Sequence, residues 1–454
     1  MRVCHGVAAR FDDPNLVSCA GLAPVMRLAE RAGLARLVAE HVWIEEPGGV
    51  NAELKVPALV AGMVAGADSI EDMALLRHGG MDRLFAGVRA PSTLGTFLRR
   101  FTFGHVRQLD AVASRLLVNL AGHTPLLPGA DELAYVDVDD TVRQTYGYAK
   151  QGAGRGYSGV KGLNALIAIV STPSCSPVIA AARLRKGSTN STKGAARLVA
   201  DALITATKAG ATGLRVLRAD SAFYNHEVIA AAGRHGARFS ITTRQNRSVR
   251  NAIAGIDPDA WTTIKYPNAI FDEDQQRWIS DAEVAEIAYT AFTSRGRDQQ
   301  VSARLIVRRV PDLNPANQSE LFTVYRHHAL FTNSPQPMVE AESAHRAHAV
   351  VEQVIADLKN GPLAHLPSGH FWANSAWLVC AAIAFNLTRA AGTLASAFHA
   401  KATTRTIRAQ LINVPARLAR SARRLTLHLP TAWPWEHPWR QLLASARDGP
   451  ASAA

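Results

Sequence analysis

The chain has 454 residues, is 48% hydrophobic and 19% charged, and carries 50 Lys plus Arg against 37 Asp plus Glu, a net charge of +13. Such a length suggests two or three domains, each with its own core, and the composition excludes a disordered or low-complexity chain. The basic excess favours a polyanionic partner, because each phosphate neutralised by Lys or Arg releases condensed counterions; a basic enzyme without a nucleic-acid partner has the same balance.

Cys4, Cys19, Cys175 and Cys380 are scattered, with no CxxC pair. That argues against a disulfide framework and against zinc, and suits a reducing cytoplasm. Residues 1–13 lack the apolar core of a signal segment. The longest apolar run, 376–385, is well short of the ~18 residues that a membrane span needs, so it is expected to be a buried helix.

Residues 1–130 read as helical, with apolar residues at helical spacing over 22–41, 56–77 and 103–120. Between the last two, Pro91 precedes a short run ending in Arg99 and Arg100, and Ser92 or Thr93 is placed to cap it. This is either a recognition helix for DNA or, as the pattern alone favours, an ordinary packed helix.

From 131 the pattern changes. Strands are expected at 134–139, ending in Asp139, and at 162–171 and 177–184, joined by Gly-rich or Pro-containing turns. A helix follows over 193–208. Then come a strand at 214–220 ending in Asp220, a helix near 226–235 and a strand at 237–243. Residues 244–340 interrupt this order with a β-rich insertion containing Trp261 and Trp278. A helix at 344–359 carries Glu352, and an apolar helix at 372–394 is expected to pack on the sheet. The stretch 401–424 has seven Lys or Arg and no acid. The last fifteen or so residues read as a surface arm fading into disorder. The expected domains are therefore 1–130, 131–243, 244–340, 341–400 and 401–454.

Asp139, Asp220 and Glu352 come from two strand ends and a helix, and in a basic chain they point to phosphodiester chemistry on divalent metal. Asp137 shares a strand face with Asp139, so burying the pair requires a cation. Asp220 has an alternative reading as a helix cap. On the 344–359 helix, Val350, Val351, Val354, Ile355 and Leu358 form the buried stripe, and His345, His348, Glu352 and Lys359 an adjoining polar face. Arg183, Arg185 and Lys186 follow the third strand, where they suit DNA backbone contact or a solvated edge. Trp261 or Trp278 suits base stacking or, more simply, a core. Gly154-Arg-Gly-Tyr-Ser-Gly159 matches a dinucleotide fingerprint in letters only, since a strand follows it.

The order β-β-β-α-β-α-β resembles an RNase-H-like domain. The motifs Tyr135-Val-Asp-Val-Asp-Asp-Thr-Val-Arg-Gln-Thr-Tyr-Gly147, Lys161-Gly-Leu-Asn164, Leu217-Arg-Ala-Asp-Ser-Ala-Phe-Tyr224 and His348-Ala-Val-Val-Glu-Gln-Val-Ile-Ala-Asp-Leu-Lys359 resemble the IS1380 family of insertion-sequence transposases, in the IS4-like DDE group. The resemblance runs from about residue 22 to 389. It implies an α/β, RNase-H-like catalytic core of mixed sheet and flanking helices, with a β-rich insertion, a helical N-terminal DNA-binding domain and a basic C-terminal region. It also implies Asp139 (with Thr141) as first acid, Asp137 as its rival, Asp220 as second and Glu352 as third.

The family's Tyr, Arg, Glu, Lys signature falls here on His345, His348, Glu352 and Lys359. Two histidines thus stand where Tyr and Arg would grip phosphate, with Arg346 one place off the pattern. The implied activity is cut-and-paste transposition: cleavage and strand transfer at terminal inverted repeats with two Mg²⁺ (or Mn²⁺) ions, in a homodimer on double-stranded DNA, without a membrane. A silent DNA-binding regulator and a structure-specific nuclease are the alternatives.

Overall fold

The structure is a computed structural model describing residues 6–146, 149–156, 159–272, 277–312, 324–422 and 424–448, without the side chains at 266–270, 272, 277, 278, 280 and 448. It divides into two compact units, one of Met1–Leu126, Gly147–Gln151 and Asp357–Ala454, the other of Leu127–Tyr146 and Gly152–Ala356. The N-terminal helices share a unit with residues 357–454.

The first unit opens with β1 (Leu16–Val17), α1 (Leu22–Arg31), α2 (Leu34–His41), α3 (Ala52–Ala65), α4 (Met81–Leu84), α5 (Pro91–Arg99) and α6 (Phe103–His123). Two expected helices are each interrupted at a glycine with positive φ. Gly33 (φ 82°) separates α1 from α2, and Gly66 (φ 117°) ends α3, a conformation that costs glycine little. In α5, Pro91 occupies the first turn and Ala90 the cap, so neither Ser92 nor Thr93 caps it. Thr102 and His105 form a capping box that starts α6.

The second unit is built on one mixed sheet. In chain order its elements are β2 (Leu133–Gln144), β3 (Gly154–Arg155), β4 (Lys161–Ser171), β5 (Val178–Lys186), α7 (Ala195–Lys208), β6 (Leu214–Ala219), α8 (His226–Arg234), β7 (Arg238–Thr242), α9 (Arg247–Ala254), β8 (Thr262–Asp272), β9 (Arg277–Ala291), β10 (Val301–Pro311), β11 (Tyr325–Thr332), α10 (Met338–Arg346) and α11 (Val350–Lys359). The strands run β3-β4-β2-β6-β7-β11-β10-β9-β8, with β5 also paired to β4. β2, β6 and β7 are mutually parallel, and the remaining pairings are antiparallel.

The expected insertion therefore adds strands to the same sheet through β11, which pairs with β7. Its two faces are covered by different helices. Val249 and Ile253 of α9 pack on Ala285, Leu305, Val307 and Ala329, while Ala341 and Met338 of α10 pack on Val284, Ile306 and Leu330. The helix expected over 344–359 begins earlier and is not continuous: a 3-10 turn, Ala347–Ala349, separates α10 from α11.

The chain returns to the first unit with α12 (Phe371–Ala395), α13 (Ala397–Lys401), α14 (Thr404–Ile407), β12 (Ala416–Ser421), β13 (Arg424–His428) and α15 (Glu436–Asp448). α12 packs among α1, α3, α5, α6 and α15, not on the sheet as expected. It is apolar on all sides, so it requires a surround of helices rather than one flat face. Among the described residues it is the helix long and apolar enough to cross a membrane, and 94% of its most apolar stretch is buried within the protein. Trp377 anchors it by donating Nε1–H to the Pro362 carbonyl at 2.7 Å. The expected terminal arm is α15, an amphipathic helix with Trp439, Leu442 and Ala446 buried. Arg31 donates to its Ser445 and Ala446 carbonyls. β12 and β13 form a hairpin joined to β1, and the described residues of its tip, 419–426, are exposed.

Candidate catalytic site

Asp139 does not end its strand. β2 continues to Gln144 along β4, whereas its parallel neighbour β6 stops at Ala219. The register pairs Asp137 with Arg218 and Val138 with Ala219, so Asp139 and Asp220 follow side by side. Strand alternation places Asp139 on the face of Asp137, and Asp220 on that of Arg218. α10 lies on the same face, because its His345 ring bonds Ser240 Oγ at 2.9 Å and Thr242 Oγ1 at 2.8 Å, and Ser240 is the register partner of Arg218. From α10 the chain turns into α11 and brings in Glu352, exposed in its first turn.

The electrostatics register this convergence. Burial pushes the Asp139 carboxyl up to about 7; Asp220, Asp140 and Glu352 add to the rise, against the amide of Asp140, which donates to it at 2.6 Å. Burial also raises Asp220, while the Ala222 amide, donating at 3.0 Å, and the charge of His348 oppose the rise. Asp220 thus also caps the following 3-10 turn, so the capping reading and the site reading hold together.

Asp137 has a different environment. It is fully buried, and Arg218 grips both its oxygens, with Nε–Oδ1 2.6 Å and Nη2–Oδ2 2.8 Å. The positive charge that this buried acid needs is therefore supplied within the chain by Arg218. Sequence reasoning passed over Arg218, although an arginine between Leu217 and Ala219, two residues before Asp220, was the available signal.

Several other residues expected at the DNA have partners within the chain. His345 is buried between Ser240 and Thr242, and burial, with the charges of His348 and Arg218, holds it down at about 3. Arg346 bonds Glu342 through Nε at 2.9 Å. Arg185 is buried, where it bonds Asn164, Asp140 and the carbonyls of Asn190, Ser191 and Lys193, fixing the turn before α7. Arg183 pairs with Asp201 at 3.2 Å.

Other residues keep an open side. His348 is half-buried, stacked on His345 with centroids 5.1 Å apart, and Lys186 is exposed. Lys359 ends α11, two turns beyond Glu352. In the first unit Arg99 is exposed and bonded to Thr96, and Arg100 pairs with Glu46 at 2.7 Å. Trp278 lies on β9 with its side chain outside the described residues. Trp261 stacks against the Arg309 guanidinium at 4.0 Å, a packing role.

Among the described residues no three His, Cys, Asp or Glu side chains already close around one point as a metal site would. The donor set still fits a hard divalent ion. Asp220 and Glu352 each lie within electrostatic reach of Asp139, and no Lys or Arg side chain among the described residues forms a salt bridge with the three. Clustered carboxylates of this kind are costly until a cation joins them.

A mixed α/β sheet with acids gathered where two parallel strands part defines a candidate nucleic-acid-processing enzyme of the metal-dependent class. The family described as Transposase DDE domain group 1 matches residues 4–449. With nearly the whole chain covered, the protein belongs to that family: it is a DDE transposase, a DNA-processing enzyme that binds DNA. The comparison with curated proteins gives no match.

Proposed function

We propose that this transposase moves its own insertion sequence by cut and paste, cleaving DNA at the terminal inverted repeats and joining the freed 3′ ends to a target. The IS1380-type motifs carry the subfamily reading. The observation that carries the chemistry is that Asp139 and Asp220 each follow the last register pair of β2 and β6, Val138 with Ala219, with Glu352 close enough to raise the Asp139 carboxyl.

Asp139 and Asp220 are held by rigid strands, so they form the fixed half of the site, and Glu352 approaches from α11 as its third carboxylate. Two Mg²⁺ or Mn²⁺ ions bound there would neutralise the phosphate oxygens and activate water or a 3′ hydroxyl. His348, half-buried and close enough to influence Asp220, takes the position next to the scissile phosphate. Lys186 and Lys359 supply backbone contacts beside it. α5 with Arg99, and the basic stretch 401–424, hold the inverted repeats in a dimeric complex.

The test is incubation of the purified protein with Mg²⁺ and a duplex carrying the element's own ends. Cleavage at the end followed by joining, both lost in Glu352→Gln, supports the reading. Cutting of DNA that lacks the ends, with no joining, would indicate a nuclease instead.

A further inference from the structure

We infer that Arg218 is a positioning residue that holds the element bearing the third acid against the two strands bearing the first and second. The inference rests on the reading of Asp139, Asp220 and Glu352 given above.

One guanidinium is used on three sides. Nε and Nη2 bind the two oxygens of Asp137 on β2, and Nη1 donates to the Ala344 carbonyl of α10 at 2.5 Å. Its flat face lies 3.8 Å over the ring of Tyr135, also on β2. Arg218 itself stands two residues before Asp220, and Asp137 two before Asp139. Ala344 is in the last turn of α10, just before the 3-10 turn that leads to Glu352. The guanidinium thus joins three segments, at Arg218, Asp137 and Ala344, each within eight residues of a different acid.

The neighbouring strand reinforces the same seat. Ser240 and Thr242 of β7 hold His345, the residue after Ala344. The end of α10 is thus tied to the sheet at two consecutive residues, by groups on two adjacent strands. His345 fixes where the helix lies along β7, and Arg218 fixes its height over β6.

Stability alone does not account for the pair. Arg218 is 2% exposed and Asp137 0%, and an apolar pair of similar volume in such a place is commonly as stable or more so. What an apolar pair cannot do is direct a bond to Ala344. A lysine keeps the charge but has no planar fork to serve two carboxylate oxygens and a carbonyl in fixed directions.

The test compares wild type, Arg218→Lys and the double variant Asp137→Leu with Arg218→Met. Mn²⁺ affinity is read by electron paramagnetic resonance titration and the folded state by thermal melting, with end cleavage as a further readout. Expected are melting temperatures near wild type in the double variant, and Mn²⁺ binding about 10- to 100-fold weaker in both variants, the range seen when supporting partners of metal ligands are removed. Wild-type Mn²⁺ affinity in either folded variant overturns the inference, as does a loss of affinity that only tracks a loss of folding in both. Wild-type protein that binds no Mn²⁺ would instead overturn the metal reading of the three acids, and this inference with it.

Discussion

Asp139 lies beside Asp220 because β6 stops at Ala219, the register partner of Val138, while β2 runs on. The two carboxylates are thus neighbours by strand geometry, with no loop needed to bring them together. Replacing either by Asn, or Glu352 by Gln, is expected to reduce end cleavage on the order of 1,000-fold or more, about 4 kcal/mol of barrier. Binding to end-bearing duplex without metal should be unchanged within a few-fold. Gel shift and single-turnover cleavage on the same proteins check both halves.

Divalent metal should stabilise the folded protein. A ligand that binds only the native state adds about 2.7 kcal/mol at 100 times its Kd. The melting temperature should therefore rise with Mg²⁺ or Mn²⁺ concentration in wild type and stay flat in Asp220→Asn. An equal rise in both proteins would place the metal elsewhere.

His345 gives the second unit a pH dependence of known sign. Burial depresses its folded-state pKa to about 3, from the ordinary histidine value of about 6.5. The unfolded chain therefore takes up a proton below about 6.5 that the folded one refuses. The contribution of the neutral ring is present above 6.5 and is lost as pH falls towards 3, at up to about 1.4 kcal/mol per pH unit. Urea unfolding at pH 7.5 and 4.5 should show a smaller loss in His345→Gln than in wild type.

The hairpin of β12 and β13 extends an exposed tip with Arg420 and Arg424 on it, in a stretch, 401–435, without a single Asp or Glu. A two-stranded ribbon fits the DNA major groove. Changing both arginines to Ala should weaken duplex binding and reduce the slope of log affinity against log salt by about 2, near 0.9 for each lost phosphate contact. An unchanged slope in fluorescence anisotropy would remove the hairpin from the DNA contact.

The core strands were legible because their apolar runs and Gly or Pro punctuation are local signals, and the order β2, β4, β5, α7, β6, α8, β7 follows from them. Asp139 and Asp220 were legible for the same reason, each being a charge in or just past such a run. The partner of α12 was not. A helix apolar on all sides announces burial, but its sequence does not say against what, and the answer lies in α1, α3, α5 and α6, all within the first 123 residues. Nor was the sorting of Asp137 from Asp139 legible. Alternation makes the two equivalent, and only the register of β6 shows that one faces Arg218 and the other Asp220. The enclosure of His345 depends in the same way on Ser240 and Thr242, about a hundred positions away. Spacing along one helix cannot separate a ring that meets DNA from one that meets a strand.

The path from β7 out to β8 and back along β11 returns to its starting point, since Thr242 pairs with Leu330. Such a detour has the layout of an exchangeable cassette, free to grow or shrink over evolutionary time without disturbing the strands before it. Yet Met338 and Ala341 of α10 rest on its Val284, Ile306 and Leu330, and α10 leads directly to Glu352. The cassette is therefore the foundation of the third acid. Substitutions that disturb that bearing surface therefore reach, through α10, a carboxylate that none of these strands contributes.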